Sequence, residues 1–272
     1  MVVKIAIIKM GNIGTSPILD LILDERADRE DIDVRTISSG AKMGKAQLDV
    51  LDYVKENDFD LILFISPNPS IGGPKSAREI LAEIDIPTVI IGDQPGERAI
   101  SQIKEQNLGY IIIKADPMIG ARREFLDATE MAIFNADIMR VLAITGVFRL
   151  IHTTIDDMVE EIKNNKNVTL PELIVTSENA TDAAEFKNPY AKSKAIAAYN
   201  IASKVAEMDV EACFKVKDPE KYIPMVCGAH EMMATAAQLA QQARDIEKSN
   251  DVLFRSSHKR NGDVEVKHHL MD

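Results

Sequence analysis

The stretch Val2-Val3-Lys4-Ile5-Ala6-Ile7-Ile8-Lys9-Met10-Gly11-Asn12-Ile13-Gly14-Thr15-Ser16-Pro17 decides the fold class. A short apolar, β-branched run ends in a glycine-rich turn, and helical spacing follows over residues 17–24. The same texture repeats downstream. Apolar runs at residues 32–37, 61–65, 88–91 and 110–114 alternate with helical stretches at 47–56, 76–84 and 97–105. Nearly continuous apolar strands, each followed by a helix, are strands covered on both faces. The pattern predicts an α/β layer: a mostly parallel, doubly wound sheet of about five strands with right-handed crossovers.

Beyond residue 116 the alternation stops. Asp116 and Pro117 suit the cap and first position of a helix. Apolar positions then recur at helical spacing through Phe125, Met131, Phe134, Ile138 and Leu142. Gly146 marks a break, a second helix is expected over 147–165, and others over 189–210 and 222–248. Their alanine content allows close helix packing, so this part reads as a helical bundle. Residues 252–255 and 264–267 flank Asn261-Gly262-Asp263, a strong hairpin signal. The expected organisation is an α/β cofactor-binding domain at 1–116, a helical bundle at 117–250 and a small C-terminal β segment at 251–272.

Composition narrows the function. The 272 residues are 46% hydrophobic, enough for a sizeable core, and 32 basic against 43 acidic residues give a net charge of -11. That balance repels phosphate backbones and anionic lipid, which argues against nucleic-acid or membrane-surface binding. Local basic spots remain available to a small anion. Cys213 and Cys227 match neither a disulfide framework nor a zinc signature, and read as small, at least half-buried side chains. Residues 2–9 are too short for a signal peptide, and no apolar run approaches the ~20 residues of a membrane span. A cytoplasmic protein is expected. His230-Glu231 begins like a metalloprotease helix, but Ala234 stands where a second His is needed. His152, His258, His268 and His269 show no metal spacing, so no metal site is expected.

The chemistry points back to the first turn. Gly11 and Gly14 match the second and third glycines of the dinucleotide fingerprint, while Lys9 replaces its first. Such glycines let backbone approach a ligand, and free N–H groups at a helix start favour an anion. The acidic residue expected after the second strand is missing from Ser38-Ser39-Gly40-Ala41-Lys42, which leaves Lys42 and Lys45 to meet negative charge. By itself the turn is either a ligand loop or a structural bend. Ser66-Pro67-Asn68-Pro69 after the third strand and Asp93 after the fourth lie at the same carboxyl edge, where open α/β sheets bind ligands. Asp93 has an equal reading as the cap of the next helix, and residues 70–74 form a loop suited to covering a ligand.

Three long strings carry a family resemblance. They are Lys-Met-Gly-Asn-Ile-Gly-Thr-Ser-Pro at 9–17, continuing into Leu-Asp-Leu-Ile-Leu-Asp-Glu-Arg-Ala-Asp-Arg and Ser-Gly-Ala-Lys-Met; Ala-Asp-Pro-Met-Ile-Gly-Ala-Arg-Arg-Glu-Phe-Leu-Asp at 115–127; and Gly-Ala-His-Glu-Met-Met-Ala-Thr-Ala-Ala at 228–237. The chain resembles the coenzyme F420-dependent methylenetetrahydromethanopterin dehydrogenases of methanogenic archaea. The resemblance implies an α/β domain, a helical bundle and a small C-terminal β segment, in a homo-oligomer built as a trimer of dimers. It implies reversible hydride transfer between 5,10-methylenetetrahydromethanopterin and coenzyme F420 during methanogenesis from carbon dioxide. F420, an 8-hydroxy-5-deazaflavin, would be a dissociable cosubstrate, with no metal or bound prosthetic group. Read onto this chain, F420 would lie against Gly11, Asn12, Ile13, Gly14, Thr15, Ser16, Lys42, Ser66, Pro67 and Asn68. The pterin would lie near Asp93, Arg122, Asn135 and Asp137. No side chain need act as acid, base or nucleophile; Asp93 or Asp137 would favour the cationic methenyl product electrostatically. The rival readings are an NAD(P)-dependent reductase using the same turn and a non-catalytic α/β ligand-binding module.

Overall fold

A computed structural model describes residues 1–23, 25, 27–117 and 127–272. In the first part of the chain, β1 (Val3–Lys9) leads through the glycine turn into α1 (Ile18–Leu23) and β2 (Ile32–Ser38). A 3-10 segment (Lys45–Leu51) and α2 (Asp52–Glu56) follow, then β3 (Leu61–Ile65), α3 (Gly72–Leu81) and β4 (Thr88–Asp93). A second 3-10 segment (Gln94–Ala99), α4 (Ile100–Glu105) and β5 (Gly109–Ile113) complete the alternation. Every residue of β3, β4 and β5 is buried, as a sheet covered on both faces requires. The pairings β1 with β2, β1 with β3, β3 with β4 and β4 with β5 are all parallel.

The sheet has six strands in the order β2-β1-β3-β4-β5-β6, not five. The additional edge strand, β6 (Glu172–Val175), is four residues long and half-buried, so neither its length nor its alternation marked it in the sequence. The strand order reverses between β1 and β3: the chain moves outward to β2, then returns past β1. Ligands of open α/β sheets bind at such a reversal, beyond the carboxyl ends of the strands.

The remaining elements are α5 (Ala128–Thr145), α6 (Val147–Lys163), α7 (Ser177–Ala183), α8 (Pro189–Val210) with a terminal π turn (Glu211–Lys215), α9 (Pro219–Ser249), and the paired strands β7 (Arg255–His258) and β8 (Val264–Lys267). Ala115, Asp116 and Pro117 are not helical, and the expected helix over 118–126 falls outside the described residues. Helix α5 is instead capped by Asp127, whose carboxylate accepts the Thr129 and Glu130 N–H groups at 2.8 Å each. Among the described residues, no single helix is long and apolar enough to cross a membrane.

The chain divides into two compact units. The first comprises Met1–Ile113, Ile151–Ile174 and Ser257–Glu265; the second comprises Lys114–Leu150, Val175–Ser256 and Val266–Asp272. Within the first unit, His258 lies between two carboxylates. Its Nδ1 is 2.9 Å from Glu25 and its Nε2 2.9 Å from Asp156. Both ring nitrogens need protons to satisfy these acceptors. Burial pulls the His258 pKa down, but the bonds to Asp156 and Glu25 outweigh it and raise the pKa overall. Arg29 pairs with Asp31 at 2.7 Å and approaches Asp156 at 3.7 Å, while Lys163 reaches Asp31 at 3.6 Å.

Within the second unit, α8 buries Ala191, Ala195, Ala198, Ala202 and Ala206, and α9 buries Ala229, Ala236, Ala240 and Ala243. Small side chains on both helices permit the close approach that the alanine content predicts. The Tyr199 hydroxyl on α8 donates to the Val175 carbonyl at 2.7 Å. Asp209, near the end of α8, is 2% exposed, and its Oδ1 has no hydrogen-bond partner among the described residues. Burial pushes this carboxyl up to about 7.

A raised native pKa means that folding favours the protonated acid. The associated stability is full below the unfolded value near 4 and falls as pH rises through about 7. The gap corresponds to roughly 4 kcal/mol at its upper limit. Asp209→Asn is expected to raise Tm at pH 8 while leaving Tm at pH 4 nearly unchanged. Thermal scans of wild type and variant across that range check it; an identical pH dependence in both would refute the assignment.

Candidate functional site

The loops after β1, β2 and β3 meet where the strand order reverses. The Met10 N–H donates to the Ile65 carbonyl at 2.9 Å, and the Gly11 N–H donates to the Gly40 carbonyl at 3.1 Å. Gly11 has φ +84°, in the left-handed region that favours glycine. A Cβ there would collide with Met43 and lie 2.9 Å from Pro67 Cδ. The glycine is required both by its dihedral angle and by the side chains packed against it.

Local bonding accounts for part of the predicted set. Ser16 Oγ accepts the Ile13 N–H at 3.1 Å, so this hydroxyl stabilises the turn itself. Thr15 and Ser16 are buried, Gly14 and Ile13 are buried, and Asn12 is half-buried. The helix that follows is described over Ile18–Leu23, and residue 24 of the expected stretch lies outside the described residues. Lys9, which replaces the first fingerprint glycine, is buried and pairs with Asp20 at 2.5 Å, and Asp20 also accepts the Thr36 hydroxyl. Lys42 is exposed, and no partner for its ammonium is found among the described residues. On the β3 side, Ser66 and Pro67 are buried. Asn68 is half-buried, with its Oδ1 accepting from the Ser70 N–H at 3.1 Å and the Ser70 hydroxyl at 2.5 Å.

Asp93 lies at the same edge. A Cβ on Gly92 would lie 3.1 Å from the Ser66 carbonyl and 3.2 Å from Pro69, so the end of β4 packs on the β3 turn. Asp93 takes the N-cap position of the following 3-10 segment, yet its side chain makes no capping hydrogen bond there. It is 1% exposed. The first-unit candidates, from Gly11 to Ser16 and including Lys42, Ser66, Pro67, Asn68 and Asp93, are therefore gathered at one edge of the sheet.

Asn135 and Asp137 belong to the second unit, on α5, and Arg122 lies outside the described residues. The Asn135 Oδ1 is buried without a hydrogen-bond partner among the described residues. Burial raises the Asp137 pKa, against the opposing effect of Arg140 at 3.6 Å. His230 on α9 stacks on Phe134, with ring centroids 4.0 Å apart and planes at 5°. Its burial lowers the imidazole pKa and favours the neutral ring. In the sequence His230 offers only the start of a metalloprotease pattern; a lone His within an alanine-rich helix carries no signal of its aromatic partner.

Arg78 carries no signal in the sequence either, because a basic residue within a predicted helix reads as a solvated face. It is fully buried on α3. Its Nε donates to the Pro69 carbonyl at 3.3 Å, Nη2 donates to Gln102 at 2.6 Å, and Nη1 donates to Gln106. Burial lowers its pKa. Arg78 thus fixes the backbone of the turn that presents Ser66, Pro67 and Asn68. As for metals, donor atoms of Glu25, His152 and His258 lie within 4.8 Å of one another. Both ring nitrogens of His258 face carboxylates, which identifies this group as an ion-pair network.

Comparison with known proteins covers the chain from end to end. The family model described as methylene-5,6,7,8-tetrahydromethanopterin dehydrogenase matches residues 3–272. The F420-dependent methylenetetrahydromethanopterin dehydrogenase of Methanosphaera stadtmanae is 65% identical over 97% of this chain and 96% of its own length. That of Methanothermobacter thermautotrophicus is 55% identical over 100% and 99%. A solved F420-dependent methylene-tetrahydromethanopterin dehydrogenase, in complex with methylene-tetrahydromethanopterin and coenzyme F420, is 46% identical. It superposes with a TM-score of 0.96 over 100% of this chain and 99% of that one.

Two substitutions probe the turn architecture. Gly11→Ala forces a side chain into Met43 and Pro67 and is expected to lower kcat/KM on the order of a hundredfold, or about 2.7 kcal/mol. Arg78→Met leaves the Pro69 carbonyl and two amide oxygens without their donor. It is expected to raise the cosubstrate KM by about tenfold with a smaller change in kcat, and Arg78→Lys to restore part of the loss. Steady-state kinetics beside circular dichroism check both; unchanged constants in a folded Arg78→Met protein would remove its positioning role.

Proposed function

The chain belongs to the methylene-5,6,7,8-tetrahydromethanopterin dehydrogenase family, and we propose that it transfers a hydride reversibly between 5,10-methylenetetrahydromethanopterin and coenzyme F420. The observation that carries this reading is the full-length agreement with a relative solved with both compounds. The glycine turn at the strand-order reversal gives it a physical basis.

The residues present fit such a pair of ligands. At Gly11 the absence of a Cβ lets Met43 and Pro67 pack over the end of β1 and so shapes the turn. Lys42 is exposed, with no partner for its ammonium among the described residues, where an anionic tail can meet it. Gly11 to Ser16, Lys42 and Ser66 to Asn68 would hold F420; Asp93, Arg122, Asn135 and Asp137 would contact the pterin. Bound F420 supplies the acceptor for the hydrogen and electron pair released when the methylene C–H bond breaks, leaving the pterin as the methenyl cation. The protein's share is alignment of the reacting rings and exclusion of water, a gain in proximity and orientation. A carboxylate held in a poorly solvated place, as Asp93 and Asp137 are, stabilises a developing cation more strongly than one in water. No conventional catalytic triad is needed. The nicotinamide alternative is disfavoured by Lys9, committed to Asp20, and by a loop after β2 that carries no ribose-binding acid.

The remaining parts of the proposal are cytoplasmic placement and homo-oligomeric assembly as a trimer of dimers. Exposed Tyr190, Phe214 and Leu270 supply apolar surface for subunit contacts. Sedimentation of a hexamer would give about six times 30.1 kDa.

The direct test is anaerobic absorbance of oxidised F420 mixed with purified protein and methylenetetrahydromethanopterin. Enzyme- and substrate-dependent bleaching of the visible deazaflavin band is expected. Lys42→Ala should raise KM for F420 about tenfold, near 1.4 kcal/mol, with little change in kcat. Reduction of nicotinamide while the deazaflavin band persists would overturn the reading.

A further inference from the structure

A cleft of about 70 Å³ in the second unit remains outside the proposed hydride-transfer site. It begins where α5 ends. Gly146 has φ +98°, and a Cβ there would run into the Ala180 carbonyl and lie 2.9 Å from Ala184 Cβ, so only glycine permits this junction. The helix break brings Arg149, on the first turn of α6, to the wall of the cleft, with Arg244 of α9, Phe186 and Phe254 also lining it. Asn135 and Asp137, the pterin-side candidates of this unit, lie two to three helical turns earlier on α5.

The charges in the cleft are not balanced. The Arg149 guanidinium is half-buried and stacks 3.9 Å above the Phe254 ring. It donates to Ser256 Oγ at 2.5 Å and to the Phe254 carbonyl at 3.5 Å, which are neutral acceptors. It forms no ion pair among the described residues. Arg244 is exposed at the rim, with neither a hydrogen bond nor an ion pair among them. Two guanidinium groups line the cleft against one carboxylate, that of Glu247, which keeps its charge but is held by backbone. Its two oxygens accept the Lys187 N–H at 3.1 Å and the Asn188 N–H at 2.8 Å, capping the start of α8. The nearby Glu185 attracts Arg149 through space without a hydrogen bond to it, and pairs with Lys187 at 3.7 Å.

We propose that this cleft binds a free inorganic oxyanion of the phosphate or sulfate class, bridged between Arg149 and Arg244. Each guanidinium presents planar paired donors that match tetrahedral oxyanions. Withdrawal of Arg149 from water is unfavourable while only neutral groups accept from it, and the same burial lowers its pKa to about 10. An anion would give Arg149 a charged acceptor in place of neutral ones and join the start of α6 to α9. It would bind the folded chain and not the unfolded one, and so stabilise the unit by mass action.

Titration calorimetry of the full-length protein with sodium phosphate at constant ionic strength, without either cosubstrate, tests this. One saturable site per chain is expected. Arg244→Gln, at an exposed position, should weaken binding at least about tenfold while leaving Tm in phosphate-free buffer within about one degree. Arg149→Lys, which keeps the charge but loses the planar fork, should also weaken it. Absence of saturable heat, or an unchanged affinity in folded Arg244→Gln protein, overturns the proposal. So does displacement of phosphate by saturating F420 or pterin, which would assign the cleft to those ligands.

Discussion

The contact on which the candidate site depends is one between a backbone and two side chains at Gly11. With no Cβ in the way, Met43 from the loop after β2 and Pro67 from the turn after β3 close over the end of β1. The three loops are thereby drawn to the point where the sheet reverses its strand order. A parallel sheet alone places loop ends at one edge, but leaves a gap between strands that diverge in the connection order. At Gly11 that gap is closed by Met43 and Pro67, so a ligand at this edge would meet the loops that these residues hold together. Pro69 continues the arrangement, because it packs on Gly92 and Gly96 and receives the hydrogen bond from buried Arg78. The site is supported from behind by a charged group that never touches its surface.

The first unit relies on a second kind of constraint. Arg29, Lys163 and protonated His258 face Asp31, Asp156, Glu25 and Glu160 in one network of three positive and four negative groups. Buried ion pairs contribute little net stability once desolvation is counted, but losing one partner is costly. Such a network therefore selects one arrangement. It holds Glu25, the helix residues 151–163 and the hairpin residues 257–265 in a single register. Gly262 contributes through its missing side chain, since a Cβ there would strike the Asp31 carboxylate.

What the sequence disclosed follows from how local each signal is. Strands β1 to β5, helix α8 over Pro189–Val210 and the Asn261-Gly262 turn were readable because their determinants lie within a few neighbouring residues. Strand β6 was not, for Glu172-Leu173-Ile174-Val175 carries too few residues to declare a period, and it becomes a strand by pairing with the sheet edge. Lys42 and the turn at residues 66–68 could be placed at the carboxyl edge because strand order within an α/β repeat dictates loop position. Arg78, His230 and His258 were illegible for the opposite reason. Each acquires its meaning from partners far along the chain, such as Gln102 and Gln106, Phe134, or Glu25 and Asp156.

Charge bears on both the glycine-turn site and the second-unit cleft. The chain carries 11 more acidic than basic residues, so an average cation has carboxylates to spare. Arg78, Arg149, Arg244 and Lys42 nevertheless form no ion pair among the described residues. Arg78 is enclosed by amide and carbonyl oxygens, which fits a purely internal duty, because no ligand can reach a fully buried guanidinium. Lys42, Arg149 and Arg244 retain access to solvent, and their positive potential is available to something that arrives from it. In a strongly acidic protein such cations bind small anions selectively: the surrounding field excludes nucleic acids and anionic lipid, while a compact oxyanion needs only the local pair of donors.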